Sequence, residues 1–172
     1  TANIVSANIS ASNGIIHVID AVLLPPEDAV EPTQTIYELA LANSDDFSIL
    51  IAALDTTGLN DTLNGAGDFT VFAPTDDAFN ALLADLGIGA GDLLTNPALS
   101  DILLKHVLEG SVDSITAFTL NGADVETVNG ETVKLEIDSG EFTVDGAEVD
   151  EFDILATNGI IHVIDAVILL DD

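Results

Sequence analysis

Asn158-Gly159-Ile160-Ile161-His162-Val163-Ile164-Asp165-Ala166-Val167 recurs letter for letter as Asn13-Gly14-Ile15-Ile16-His17-Val18-Ile19-Asp20-Ala21-Val22, 145 residues upstream. An Asn-Gly pair accepts the positive φ of a tight turn. The run behind it, Ile160 to Leu170, is apolar on both faces and broken only by His162 and Asp165. It falls short of the roughly 18 apolar residues that span a bilayer, so it reads as a strand in the middle of a sheet. The likeness continues upstream, where Ile9, Ala11 and Ser12 stand against Ile154, Ala156 and Thr157. Residues 1–27 therefore look like a second copy of residues 146–172, and a period this long points to tandem domains rather than a solenoid.

Outward from the repeat, the chain divides into a tail at 1–24, a linker at 25–32 and a domain at 33–172. The linker, Pro25-Pro26-Glu27-Asp28-Ala29-Val30-Glu31-Pro32, is extended by its prolines and its like charges. In the domain, Thr35 and Glu38 form a capping box that opens a short helix. Asp45 or Asp46 is expected to cap a second helix, which Gly58 ends, with Phe47, Leu50, Ile51 and Leu54 on one face. Asp68 to Ala73 is a strand stopped by Pro74, and Thr75 caps a helix carrying Phe79, Leu82 and Leu83. Asn96-Pro97 is expected to open a helix through Leu99, Ile102, Leu103 and Leu104. From Ser114 onward a period of two is expected, with hairpin signals at Asn121-Gly122, Asn129-Gly130, Ser139-Gly140 and Asp145-Gly146. Val133, Leu135 and Ile137 alternate with Lys134, Glu136 and Asp138, the mark of a half-buried antiparallel strand. Helices followed by a strand meander make an α+β domain.

The charge is extreme. Thirty-one acids face only Lys105 and Lys134, for a net charge of −29. No clustered Lys or Arg exists to track nucleic-acid phosphates or an anionic membrane surface. With 48% apolar residues and a mean hydropathy of +0.44, the chain is not a disordered acidic tail. Life in high salt fits best, because ions screen the self-repulsion. Thr1-Ala2-Asn3 lacks the basic start and apolar stretch of a secretory leader, so either a leader has been removed or the chain is an internal piece. With no cysteine, neither a disulfide nor a thiolate site exists.

Three histidines invite catalytic or metal readings. In a strand, His162 and Asp165 are three apart and point to opposite faces, which denies them a dyad; His17 and Asp20 repeat that spacing. His106 sits near a helix end, where a positive imidazole is favoured. Core hydrogen bonding is the commoner role for such residues. No Gly-x-Ser-x-Gly turn is present to carry a nucleophile. The acidic pairs Asp45-Asp46, Asp76-Asp77, Glu151 with Asp153, and Asp171-Asp172 do not match the spaced calcium loop. They read as helix caps or solvated faces. No cofactor is implied, and weak calcium binding by the acidic surface is the one exception the charge allows. Gly87, Gly89 and Gly91 lack the lysine and preceding strand of a phosphate loop.

Phe69-Thr70-Val71-Phe72-Ala73-Pro74-Thr75-Asp76-Asp77-Ala78-Phe79 resembles the first signature of fasciclin domains, and Asn158 to Leu169 resembles the second. Leu103-Leu104-Lys105-His106-Val107 is similar to the segment between them, with Lys105 where the family often has tyrosine and His106 retained. The likeness covers about residues 33–170. It implies a fasciclin-like β-wedge or sandwich of antiparallel strands with a packed helical layer. It also implies an extracellular or cell-surface role in adhesion or matrix building, and no catalytic residues. Phe69, Phe72, Pro74, Thr75, Phe79, His106, Asn158, Gly159, His162 and Asp165 are the expected structural signature. The tail residues Ile15, Ile16, Val18, Ile19 and Val22 are too apolar to lie free in water and are the candidate interaction residues. The expected partner is a second copy or another extracellular protein, with filament formation by strand donation as the sharpest form. The alternative is a monomeric module from a tandem array that binds a separate receptor or glycan. Neither nucleic acid nor membrane insertion is expected.

Overall fold

The computed structural model describes residues 4–11, 14–19, 31–138 and 141–170, and of 4–11, 14–19 and 138 the backbone alone. The chain divides into two units, Thr1–Glu31 and Pro32–Asp172.

The first unit is a hairpin of β1 (Ile4–Ala11) and β2 (Gly14–Ile19), paired antiparallel. Ile15, Ile16, Val18 and Ile19 lie on β2. Val22, and the linker up to residue 30, lie outside the described residues.

The second unit opens with α1 (Ile36–Ala42), α2 (Ser44–Thr57) and α3 (Asn60–Asn64). Then follow β3 (Phe69–Pro74), α4 (Asp76–Leu86), α5 (Ala90–Leu94), α6 (Leu99–Lys105), β4 (Val107–Glu109) and α7 (Ser114–Thr119). The meander β5 (Asp124–Glu126), β6 (Thr132–Asp138), β7 (Glu141–Val144), β8 (Ala147–Ala156) and β9 (Gly159–Ile164) closes it.

Local chemistry sets these boundaries. At α1 the capping box forms: the Thr35 hydroxyl accepts from the Glu38 amide at 3.2 Å, and the Glu38 carboxylate accepts from the Thr35 amide at 2.9 Å. The Thr75 hydroxyl likewise accepts from the Ala78 amide at the head of α4. The cap of α2 differs from expectation. The helix kinks at Phe47, and Asp76 of α4 reaches across to accept from the Ile49 amide at 2.8 Å and from the Ser48 hydroxyl. Neither Asp45 nor Asp46 does this. Asn96 accepts from the Ala98 amide at 2.9 Å in a turn, so α6 starts at Leu99, later than Pro97. Ser114 does not begin a strand. Asp113 accepts from the Thr116 amide at 2.7 Å and nucleates α7 instead. Asp145 (φ 53°) and Gly146 (φ 87°) both take positive φ, as a two-residue turn between β7 and β8 requires. The Ser139-Gly140 signal lies outside the described residues.

The seven-stranded sheet runs β4-β3-β9-β8-β7-β6-β5. Its pairs are antiparallel except one: β3 and β9 run parallel, from Phe69↔Gly159 to Pro74↔Ile164. The long stretch of chain between these two strands supplies the crossover that parallel pairing needs. With β3 on one side and β8 on the other, β9 is central. It ends at Ile164 rather than running on to Leu170, because Asp165 turns the chain: its amide donates to the Glu148 carbonyl and its carboxylate accepts from the Glu148 amide.

Period-two alternation sends β3 and β9 into two cores at once. Val71, Ala73 and Ile161 join Leu50, Leu54, Phe79, Leu99 and Leu103 in a core under the helices. Phe72 and Ile164 join Leu108, Val133, Leu135, Phe142, Val144 and Ile168 in a core within the strands.

The tail hairpin copies β8–β9 in register as well as in letters. Ile4↔Ile19, Ser6↔Val18, Ile9↔Ile16, Ser10↔Ile15 and Ala11↔Gly14 correspond to Val149↔Ile164, Glu151↔Val163, Ile154↔Ile161, Leu155↔Ile160 and Ala156↔Gly159. Both register shifts recur at matching positions.

Candidate functional site

The signature residues gather where β3, β9 and α1 meet. Asn158 is buried and uses its whole amide: Oδ1 accepts from the Ile36 amide at 2.9 Å, and Nδ2 donates to the carbonyls of Leu63 and Gly65 at 2.8 and 2.9 Å. It ties α1, the end of α3 and the start of β9 together. Next to it, Gly159 touches Phe69, whose amide donates to the Asn158 carbonyl. Phe72 and Phe79 are buried in separate cores, while Pro74 and Thr75 turn the chain from β3 into α4.

His162 lies fully inside, stacked on Phe72 at 5.6 Å between centroids and met edge-on by Phe142 at 5.8 Å. Its Nε2 is 2.8 Å from the Val112 carbonyl, and its Nδ1 is 3.4 Å from the Asp153 amide. The ring therefore donates through Nε2 and accepts through Nδ1, which requires the neutral form; burial pushes its pKa down. Asp165 is exposed beyond the end of the strand and serves the turn described above.

His106 is the C-cap of α6 and is also buried. Nδ1 lies 2.7 Å from the Ile102 carbonyl, and Nε2 accepts from the Ile168 amide at 2.9 Å. The helix end does not make the imidazole positive; the ring is hydrogen-bonded inside the core. Desolvation outweighs the hydrogen bond to the Ile102 carbonyl and, with Lys105 beside the ring, lowers its pKa to about 4. The ring pins the segment after β9 onto α6.

Lys105, at the position where fasciclin domains often have tyrosine, is completely buried. Its Nζ lies 3.2 Å from Glu131 Oε2 and 3.6 Å from Asp145 Oδ2. It thereby couples α6 to the loop before β6 and to the β7–β8 turn. Lys105→Ala should cost about 3 kcal/mol, the low end for breaking a buried pair, since both carboxylates keep some exposure. Urea unfolding measures this; a loss under about 1 kcal/mol would put the pair among ordinary surface bridges.

Two surface features remain. Asp45, Asp46, Thr75, Asp76, Asp77, Asp150 and Asp165 line an acidic cleft of about 370 Å³. Among the described residues, no group of three or more His, Asp or Glu is placed to hold a metal ion. The second is apolar. Ile115 and Phe118 on α7 and Phe152 on β8 are 75%, 66% and 56% exposed and line a groove of about 400 Å³ with Ile137 and Phe142. Sequence reasoning missed this groove because it read residues 114–119 as part of the strand region; the Asp113 cap was the available signal.

Comparison with known proteins agrees with this architecture. The fasciclin domain family model matches residues 1–25 and 45–170. Protein sll1483 of Synechocystis sp. is 40% identical over 145 residues, covering 82% of this chain and 76% of that protein. The transforming growth factor-beta-induced protein ig-h3 of Sus scrofa is 33% identical over 174 residues, covering 99% of this chain but 23% of that protein. A solved FAS1 domain pair from the insect cell adhesion molecule fasciclin I superposes with a TM-score of 0.69 at 24% identity, covering 98% of this chain and 60% of that one. The chain belongs to the fasciclin domain family. Its fold is the α+β wedge of that family.

Proposed function

We propose that this chain acts outside the cell as a non-enzymatic adhesion or structural module, and that it associates with further copies of itself through the N-terminal hairpin. The cell adhesion molecule that shares its fold supports the first part. No helix among the described residues is long and apolar enough to cross a membrane. The second part rests on one observation: β1–β2 keeps the pairing register of β8–β9 residue for residue, in a two-stranded sheet of its own. A two-stranded hairpin gains stability by joining a larger sheet or packing on one. A head-to-tail contact of this kind propagates unless its rotation closes a ring.

Light scattering of the full chain in high salt tests this. Wild type should exceed the monomer mass, whereas a chain carrying Ile16→Asp and Val18→Asp, or lacking residues 1–24, should stay monomeric. Equal assembly by all three would sink the reading.

A second reading has its own support. The alignment with ig-h3 and the superposition on the domain pair run through the tail as well as the body. In that case the hairpin closes the sheet of a preceding domain in a tandem array, and the partner is a separate receptor or glycan. A monomer with unchanged mass at every salt concentration favours it.

We also propose salt adaptation. Repulsion among −29 charges reaches about 30 Å in 0.01 M salt and about 10 Å in 0.1 M. The melting temperature should rise as sodium chloride goes from millimolar to molar. A flat profile would show that the acids are spaced well enough to need no screening.

A further inference from the structure

The following rests on the self-association above and names the surface that receives the hairpin. We propose that β1–β2 of one copy inserts into the wedge between β7 and β8 of another, pairing along the open edge of β8 above the groove of Ile115, Phe118, Phe142 and Phe152.

The sheet's topology isolates this edge. β8 pairs with β9 from Val149 to Ala156, but β7 pairs with β8 only at Thr143↔Glu148 and Val144↔Ala147. From there β7 continues along β6, pairing Ile137↔Phe142 and Asp138↔Glu141. So from Val149 onward β8 has a strand neighbour on its β9 side alone among the described residues. The apolar groove lies in this opening, floored by Ile137 and Phe142 and flanked by Phe152 of β8 and by Ile115 and Phe118 of α7. An edge strand beside exposed aromatic side chains has the two parts of a strand-addition site: backbone groups for pairing, and pockets for alternate side chains. The sheet's outer strands offer less. β4 and β5 are three residues each, and β5 carries Asp124 and Glu126, the usual protection of an edge.

Charge selects the occupant. β8 itself bears Glu148, Asp150, Glu151 and Asp153, Glu141 adjoins Phe142, and Asp113 caps α7. An incoming strand with acids meets like charges in a half-dry groove. In a chain with 31 acids, residues 1–19 carry none, the longest such stretch. The tail lacks the charges of β8 position by position. Where β8 has Glu148, Asp150, Glu151 and Asp153, the tail has Asn3, Val5, Ser6 and Asn8. Phe152 and Leu155 are likewise replaced by Ala7 and Ser10. The hairpin thus keeps the pairing register of a fasciclin sheet, without the charges that would bar it from another copy's acidic edge and without the phenylalanine that β8 contributes to the groove. Each chain presents one neutral insert and one acid-rimmed receiver.

Two full-length variants test the assignment. The first puts Ile115→Ser and Phe118→Ser into the groove, at side chains that are already mostly in water. The second restores the acids of β8 to the tail with Asn3→Glu, Val5→Asp, Ser6→Glu and Asn8→Asp, in a register that β8 already sustains with those residues. Circular dichroism and the melting midpoint verify the fold of each. By light scattering in high salt, each variant alone should associate at least about tenfold more weakly than wild type. Mixed, they should form a one-to-one complex that grows no further, since one supplies the intact hairpin and the other the intact groove. If the groove variant assembles like wild type while the acid-restored tail does not, the hairpin docks elsewhere: this inference falls and the self-association reading stands. If the wild type itself stays monomeric, both fall together.

Discussion

Gly159→Ala should disrupt the seven-stranded sheet. A Cβ at this position would sit 1.9 Å from the carbonyl oxygen of Phe69 and 2.8 Å from its carbonyl carbon and amide nitrogen, all backbone atoms of the paired strand β3. The residue also holds φ at +149°, where side-chain-bearing residues are rarely found. Relief requires β3 and β9 to move apart at the first pair of their ladder, just where Asn158 holds α1 and α3. The loss should exceed about 4 kcal/mol, among the largest effects of single substitutions. Gly146→Ala is the control. It too has positive φ, +87°, but nothing lies within 4 Å of its added Cβ, so only the backbone preference is lost, about 1–2 kcal/mol. Urea unfolding of both variants checks the ranking. If Gly159→Ala is no worse than Gly146→Ala, the close approach of the two strands does not govern the fold.

The same pair of residues shows how far the sequence could be read. Asn158-Gly159 announced a tight entry to a central strand, and the two-sided apolar run behind it could only sit between neighbours; both readings rest on local steric rules. The caps at Thr35 and Thr75 were legible for the same reason, since donor and acceptor lie within one turn. What was not legible depends on partners far away in the chain. Asp76 caps the second part of α2 from another helix. The parallel pairing of β3 with β9 joins elements far apart in the chain. The neutral state of His106 is set by burial and by the Ile168 amide, neither of which its neighbours in the chain reveal. Ile115, Thr116, Phe118 and Thr119 favour strands by composition, so α7 stayed hidden and the groove on its surface with it. In the tail, the repeat was evident in letters, but a duplicated pairing register exists only in three dimensions.

Acidification should destabilise the protein through its buried histidines. His106 needs its Nε2 lone pair for the Ile168 amide, and a proton there breaks that bond and buries a charge beside Lys105. Its folded pKa, about 4, lies below the ordinary value of 6.5. Between those two values the unfolded chain binds more protons than the folded one, so stability rises with pH across this window. The contribution is fully present above about 6.5 and is lost as pH falls towards 4, by which point the loss amounts to about 3 kcal/mol. His162 adds in the same direction, since burial lowers its pKa as well. An opposing effect starts lower in the range: protonating the surface acids reduces the net charge of −29 and eases repulsion. High salt suppresses that second effect while leaving the buried rings nearly untouched. Unfolding free energies measured in molar salt should therefore fall between pH 6.5 and pH 4, with the imidazole resonance of His106 titrating near 4. A titration midpoint at or above 6.5, or a stability flat across the window in salt, would show that the ring is not held neutral and that the segment carrying Ile168 is not pinned by it.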